Sequence, residues 1–293
     1  MIKKLTFIGL GQMGRPMAEN LIAARYPVTG YDKCHKARSL FTGHTEISIS
    51  SALKEADFVI TMLPTGGDVK EALLNNDNFL NTSNDCIIVD MSSSSPFDTV
   101  SLDKSLKNRV GLLDAPVSGG VKRAIDGSLT IMIGGSKNIY LQHKRLFNAL
   151  ASKVFYCGAL GSGHALKGLN NYVSAAGLIA SCEALIAAEK FGISPDLFIE
   201  LLNHSTGKND ATENKLKRFV TSKKFNSGFS LNLQAKDINN VMVFSKNLGL
   251  ELSGLTKISE ILNSAQNNLS TEVDHTEIYK FLKNSKSWNP PVR

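Results

Sequence analysis

The chain predicts a doubly wound α/β sheet, then one long helix, then an all-helical region. Three observations carry that prediction. Short apolar runs alternate with helix-patterned stretches up to residue 158, as parallel strands do when helices cover both faces of a sheet. From His164 to Phe191 there is no proline and only two glycines, Gly168 and Gly177. The remainder keeps a helical pattern, and 293 residues leave room for two domains with real cores.

Taken in order, residues 3–8 (KKLTFI) read as a first buried strand. Met13, Met17, Leu21 and Ile22 then recur at helical spacing within residues 12–25. Further strands are expected at 27–32, 56–64, 85–92, 110–117, 129–135 and 153–158. Helices are expected around 49–55, 67–74, 96–108 and 137–151. The run from 164 to 191 makes a helix on the order of 40 Å long. Gly192 stops it, and Ser194 with Pro195 supplies the N-cap and first position of the next helix. A break is expected near 219–229 and a loose tail at 287–293. The expected organisation is therefore an α/β domain (1–161), a linking helix (162–192) and an all-helical domain (193–293).

An apolar content of 42% and a charged content of 20% are ordinary for a globular protein. No stretch reads as some 18 successive apolar residues, so no membrane span is expected. The lysines and apolar run of MIKKLTFIGLG are too short for a signal peptide and flow into a glycine pattern, so a cytoplasmic protein is expected. Cys34, Cys86, Cys157 and Cys182 are far apart and form no CxxC pair, which points to neither a metal site nor a disulfide framework. They read as buried free thiols in a reducing compartment. The net charge of +7 comes from scattered residues. Its densest stretches, NKLKR at 214–218 and SKK at 222–224, alternate with apolar residues as a solvated edge does. A nucleic-acid reader concentrates its cations on one face, so small anions are the expected partners.

GLGQMG at 9–14 fits G-x-G-x-x-G. It follows a strand, opens a helix, and precedes a second strand ending in Asp32, eighteen residues after Gly14. That context makes it a dinucleotide fingerprint. Gly9 makes the turn, Gly11 lets a pyrophosphate approach, and Gly14 lets helix pack on strand. Leu10, Gln12 and Met13 complete a loop whose NH groups, with the helix dipole, favour phosphate. Asp32 suits the ribose hydroxyls of NAD and repels a 2′-phosphate, while nearby Lys33, Lys36 and Arg38 keep NADP open. MLPTGGD, with Leu63, Pro64 and Asp68, lies at the same carboxyl edge as the glycine turn. DMSSSSP at 90–96, with Ser93, is a second edge loop that serves the ribose or nicotinamide, or else caps a helix before Pro96. DAPVSGG ends another strand in Ser118-Gly119-Gly120, a carboxylate cradle of NH groups and a hydroxyl or else a plain glycine turn.

GSGHALKGLNNYV at 161–173 places Lys167 and Asn171 four residues apart on one helix face, with Asn170 bordering Lys167. Hydride transfer from a hydroxyl carbon needs a group to take the hydroxyl proton, and a desolvated lysine does this near neutral pH. As ammonium it steadies a developing alkoxide. The other reading is a lysine that snorkels from the first turn of a surface helix.

FIGLGQMGRPMAENL, DAPVSGG followed by GSLTIMIGG, GHALKGLNN and LQAKD stand in the order found in the β-hydroxyacid dehydrogenases, and the chain resembles that family from about residue 5 to residue 265. The family includes 3-hydroxyisobutyrate and L-threonate dehydrogenases. The resemblance implies a Rossmann domain, a linking helix and a helical domain that forms dimers or tetramers. It implies NAD(P)-dependent oxidation of a small anionic hydroxy acid. Lys167 would be the acid/base and Asn171 its substrate-holding partner, with Ser118, Gly119 and Gly120 at the substrate carboxylate. Lys236, beside Asp237, matches a lysine that closes over the cofactor, and Leu63 and Pro64 match a cofactor-edge loop. Ser93 stands where many relatives carry threonine beside the nicotinamide, which keeps the hydroxyl and loses a methyl. The segment HSTGKNDATENK at 204–215 departs from the pattern. Asn209 and Asp210 replace a bulky residue, often tryptophan, which suits a hydroxylated substrate while Asp210 repels a second carboxylate. Imine-reducing relatives generally lack the lysine, phosphogluconate dehydrogenases carry a larger helical domain, and a cofactor-binding protein without catalysis is the remaining alternative.

Overall fold

A computed structural model describes residues 4–75, 86–106, 110–270 and 273–284. The expected tail at 287–293, and the last residues of the helix expected at 96–108, lie outside the described residues. The chain divides into two compact units, Met1–Lys167 and Gly168–Arg293.

The first unit is a sheet of β1 (Leu5–Ile8), β2 (Val28–Tyr31), β3 (His44–Thr45), β4 (Phe58–Thr61), β5 (Ile87–Asp90), β6 (Gly111–Asp114), β7 (Val117–Ser118), β8 (Leu129–Gly135) and β9 (Ala151–Gly158). Its order is β3-β2-β1-β4-β5-β6-β8-β7, with β9 paired to β8. The first six strands of that order run parallel. β8 is antiparallel to β6 and β7, and β9 is parallel to β8. Every residue of β1 and β4 is buried, which is why both read as continuous apolar runs rather than alternating ones. Successive side chains serve opposite faces. Phe7, Phe58 and Ile60 join a core with Met17 and Leu21, whereas Ile8, Val59 and Ile88 join a second core with Leu73 and Leu102.

The helices of this unit are α1 (Gly14–Ala23), α2 (His35–Ser39), α3 (Ile49–Leu53), α4 (Gly66–Leu74), α5 (Pro96–Ser105), α6 (Gly120–Ile125), α7 (Lys137–Gln142) and α8 (Lys144–Asn148). Four details correct the sequence reading. The single helix expected at 137–151 is two short ones, parted at His143, with Ala151 already in β9. The strand expected at 110–117 is β6 and β7, parted at Ala115-Pro116, where proline has no NH to give a ladder. The short elements α2, β3 and α6 were not expected. Of the four thiols, Cys86 and Cys182 are buried, but Cys34 is exposed and Cys157 half-buried.

The long helix α9 spans Ser162–Phe191, and its residues 162–167 fall in the first unit. By length and composition it could cross a membrane, contrary to the sequence expectation. Its apolar residues have another use, because half of the apolar window is buried inside the fold. Ala175, Leu178, Ile179, Cys182, Leu185 and Ile186 follow helical spacing into the core of the second unit. There they meet residues of α10 (Pro195–Asn203), a π-helix (Ala211–Thr221), α11 (Leu231–Asn247), α12 (Ser253–Asn268) and α13 (Ile278–Asn284). Ser194 caps α10 by accepting from the Leu197 NH at 3.2 Å, and Pro195 opens it. The π-helix runs to Thr221, so the break begins at Ser222 rather than 219. Lys223 (φ 59°) and Phe225 (φ 45°) turn the chain out of helix there.

Candidate active site

The glycine loop follows β1, between β2 and β4, where the strand order reverses. Its three glycines meet different surroundings. A Cβ at Gly14 would overlap the Gly9 carbonyl, and one at Gly9 (φ 99°) would overlap the Met62 carbonyl, whereas one at Gly11 would meet nothing within 4 Å. Gly9 and Gly14 thus serve packing, and Gly11 faces open space that a phosphate group can use. No side chain caps α1, and its first turn holds no acidic residue, so this helix end suits an anion. Leu10 is a core residue. Its NH donates to Asp32 Oδ2 at 2.8 Å, and the Cys34 NH donates to Asp32 Oδ1 at 2.8 Å. Two backbone donors therefore fix the Asp32 carboxylate just beyond β2. Arg38 turns its guanidinium to the Asp32 carbonyl at 2.5 Å, while Lys33 and Lys36 remain exposed. The open glycine turn and the uncapped helix end fit the phosphates of a dinucleotide.

The ends of β4, β5 and β6 carry a buried polar network. Thr61 Oγ1 donates to Asp90 Oδ1 at 2.9 Å, and Ser94 Oγ donates to Asp90 Oδ2 at 2.8 Å. The Leu63 NH donates to Ser92 Oγ at 2.9 Å, tying the first edge loop to the second. Ser92, Ser94 and Ser95 are buried, and Ser93 alone of the serine run is half-buried. Ser95 occupies the N-cap of α5 but makes no cap bond. Asp68 is used locally, since its carboxylate accepts from Thr65 Oγ1 at 2.6 Å in the cap of α4. Pro64 is exposed beside it.

Asp114, fully buried at the end of β6, receives the start of α9. Its carboxylate accepts the Gly161 NH at 2.7 Å and the His164 NH at 2.8 Å. A buried anion at a helix N-terminus satisfies orphan donors and complements the dipole. Lys167 follows one turn later, half-buried. Ser118 is half-buried, and Gly119 (φ 135°) and Gly120 (φ 69°) form an exposed turn into α6 that only glycine adopts without strain. A Cβ at Gly120 would meet nothing within 4 Å, so the turn has room for a ligand.

In the second unit Asn171 donates from Nδ2 to Asp237 Oδ2 at 2.7 Å, and Asn170 donates to Asn171 Oδ1 at 3.3 Å. Lys236 Nζ lies 3.4 Å from Asp237 Oδ1. Asp237, a nearly buried carboxylate, thus orients both polar residues of this group. Asn209, whose direction the sequence leaves open, is engaged within the unit. Its Oδ1 accepts the Ala211 NH at 2.8 Å and its Nδ2 donates to Ser181 Oγ at 3.2 Å, which makes it a cap for the π-helix. Asp210 pairs with Lys215 at 2.8 Å, and Lys215 also donates to Ser174 Oγ at 3.3 Å. Burial alone raises the Asp210 carboxyl, but the Lys215 hydrogen bond and charge hold it below its ordinary value.

Asp90, Asp114, His164 and Asp237 were not singled out as site residues from the sequence. The first two end strand segments whose apolar runs dominate the pattern. A signal existed, because a carboxylate at the end of a buried strand needs partners.

The chain matches two family models in succession: the NAD-binding domain of 6-phosphogluconate dehydrogenase over residues 4–158, and the NAD-binding domain of NADP-dependent 3-hydroxyisobutyrate dehydrogenase over residues 161–282. It is 31% identical to the mitochondrial 3-hydroxyisobutyrate dehydrogenase of Homo sapiens, over 96% of this chain and 87% of that protein. It is 33% identical to the 2-(hydroxymethyl)glutarate dehydrogenase of Eubacterium barkeri, over 80% of each. The solved structure of Mycobacterium tuberculosis 3-hydroxyisobutyrate dehydrogenase with L-serine covers 97% of this chain and 100% of its own, at 30% identity and a TM-score of 0.89. Glycine loop, helical unit and relatives agree: the chain belongs to the NAD(P)-dependent β-hydroxyacid dehydrogenase family.

Proposed function

We propose that this protein oxidises a small 3-hydroxy acid with NAD in preference to NADP, using Lys167 as the proton acceptor. The observation that carries the reading is the capped start of α9, which holds Lys167 one turn beyond Asp114, in the same unit as the dinucleotide loop and the Ser118–Gly120 turn. The substrate carboxylate binds at Ser118, Gly119 and Gly120. Asn171, on the helix face of Lys167 and oriented by Asp237, holds the hydroxyl oxygen. Lys167, as the free amine, takes the hydroxyl proton while the carbon gives up a hydride. Bound NAD(P) supplies the hydride acceptor. In the reverse direction the ammonium returns the proton. Gly9 to Gly14, Leu63, Pro64, Asp68 and Ser93 hold the cofactor in this reading, and Lys236 keeps the cofactor role that the family resemblance gives it. Asp32 supports NAD, because its fixed carboxylate disfavours a 2′-phosphate.

The Asp210–Lys215 pair bears on substrate choice. Lys215 offsets the charge that would repel a second carboxylate, so acids with two carboxylates belong in the test. The experiment is nicotinamide absorbance with NAD and NADP separately, across 3-hydroxyisobutyrate, L-serine, L-threonate and 2-(hydroxymethyl)glutarate. Turnover of at least one acid, faster with NAD, is expected. Cofactor binding without turnover of any acid overturns the catalytic reading, and faster turnover with NADP overturns the cofactor preference.

A further inference from the structure

His164, one turn before Lys167, is a titratable residue whose side chain is 0% exposed. It makes no contact with bulk solvent and has no part in the proton transfer just described. Its ring is nonetheless fully engaged. Nε2 lies 3.0 Å from the Ser92 carbonyl and Nδ1 lies 2.8 Å from Thr99 Oγ1. A carbonyl only accepts, so Nε2 carries a hydrogen in either charge state. The Ser92 carbonyl belongs to the peptide that leads into Ser93, the half-buried member of the serine loop. Carboxylates flank the ring, Asp90 Oδ2 at 3.8 Å from Nε2 and Asp114 Oδ2 at 3.8 Å from Nδ1.

The backbone of His164 is fixed as firmly as its ring. Its NH is one of the two that Asp114 accepts. Its neighbour Gly163 lies against the sheet so closely that a Cβ there would overlap the Met132 carbonyl and stand 2.8 Å from Asp114 Oδ2. One residue therefore joins two pieces of the first unit, the loop bearing Ser93 and the helical turn bearing Lys167, across 72 residues of sequence.

We infer that His164 is a positioning residue for the reaction: its imidazole sets the Ser93 loop and the Lys167 turn in register with each other. This rests on the reading of Lys167 as proton acceptor. Displacements near 1 Å cost about a hundred-fold in rate when reacting groups must meet in one geometry. An apolar side chain at 164 removes the imidazole from the buried Ser92 carbonyl and leaves Thr99 Oγ1 with only its 3.3 Å bond to the Ser95 carbonyl, and the two pieces are then free to shift.

The test compares His164→Leu, His164→Gln and Thr99→Val in the full-length protein, with the hydroxy acid of greatest turnover as substrate. For His164→Leu, kcat is expected to fall about a hundred-fold while KM for the hydroxy acid stays within about three-fold. His164→Gln, whose amide both donates and accepts, restores most of that loss. Thr99→Val, which removes one hydroxyl, costs about ten-fold. A second readout needs no turnover. Hydrogen exchange of the cofactor-free His164→Leu protein should quicken together at residues 92–95 and 162–167, with no change at 129–135. Full activity in a folded His164→Leu variant, or a loss that glutamine does not repair, overturns the inference. So does exchange that quickens uniformly through the unit. Should His164→Leu fail to fold, Thr99→Val and His164→Gln decide it by the same measurements. Lys167→Ala serves as the control. If that variant keeps its turnover the proposed chemistry fails, whereas the exchange result still reports on the coupling.

Discussion

Two histidines, one in each unit, are buried to about the same degree and have opposite surroundings. His164 in the α/β unit has partners at both ring nitrogens, whereas His275 in the helical unit is 3% exposed and its Nδ1 has none. The contrast extends beyond the pair. Among the described residues, buried side-chain polar atoms without a partner are Asn203 Oδ1, Gln234 Oε1 and His275 Nδ1 in the helical unit, against Ser95 Oγ alone in the α/β unit. Parallel strands end together at one edge, so polar residues from distant parts of the sequence can satisfy one another there. Thr61, Asp90, Ser92 and Ser94 do so, as do Asp114 and His164. Helices satisfy their own backbones, so polar residues of the second unit serve helix ends, as Ser194 and Asn209 do, or pair locally between two helices, as Asn171 and Asp237 do. Both units join segments through buried polar residues, but in the α/β unit these residues gather at one sheet edge, whereas in the helical unit they work as separate pairs such as Asn171–Asp237 and Asn239–Ser259.

Four substitutions separate these uses, and the largest effect is on rate. Lys167→Ala should lower kcat by about a thousand-fold, within the range of general acid–base catalysis, with little change in melting temperature or NADH binding. Asp114→Ala should instead lower both, costing about 3 kcal/mol in chemical denaturation because two buried amides lose their acceptor. An unchanged denaturation midpoint would remove Asp114 from the joining class.

His275 tests the other unit through pH. Burial first, and then the Lys215 cation, push its pKa down from 6.5 to about 4. Below pH 6.5 the unfolded chain takes up a proton that the folded chain refuses, so this residue removes stability as pH falls from 6.5 to about 4. Above that window it has no effect. His275→Phe should flatten the stability curve across that window and leave kcat at neutral pH unchanged; an unaltered curve would show that the ring is protonated as readily in the folded state. The smallest effect is expected for Asn209→Ala, about 1 kcal/mol as for a lost helix cap. Its KM should not move, and a raised KM would return Asn209 to the substrate.

Much of this was legible from residue types alone. Gly9 and Gly14 declare themselves because a Cβ at either would overlap a backbone carbonyl. Ser194-Pro195 likewise marks a helix start. The capping role of Asn209 was not legible because a side chain's direction depends on its neighbours: the Ala211 and Thr212 NH groups at the start of the π-helix bond its Oδ1, and nothing in the spacing of residues 204–215 reveals a π-helix. Asp90, Asp114 and His164 were passed over because each is isolated in sequence, 24 and 50 positions from the next, and only the fold brings them together. The break after Thr221 was placed early because positive φ at Lys223 and Phe225 leaves no mark in their side chains.

The link between Asp114 and the start of α9 also orders events during synthesis. Asp114 emerges from the ribosome 47 residues before the Gly161 amide and 50 before that of His164. Until those amides arrive, water must solvate its carboxylate, and the carboxyl edge of the sheet stays hydrated. A nascent chain can assemble β1 to β6 during that interval, since their pairings lie wholly upstream. The site's own edge is completed last, in the same stretch of translation that delivers Lys167.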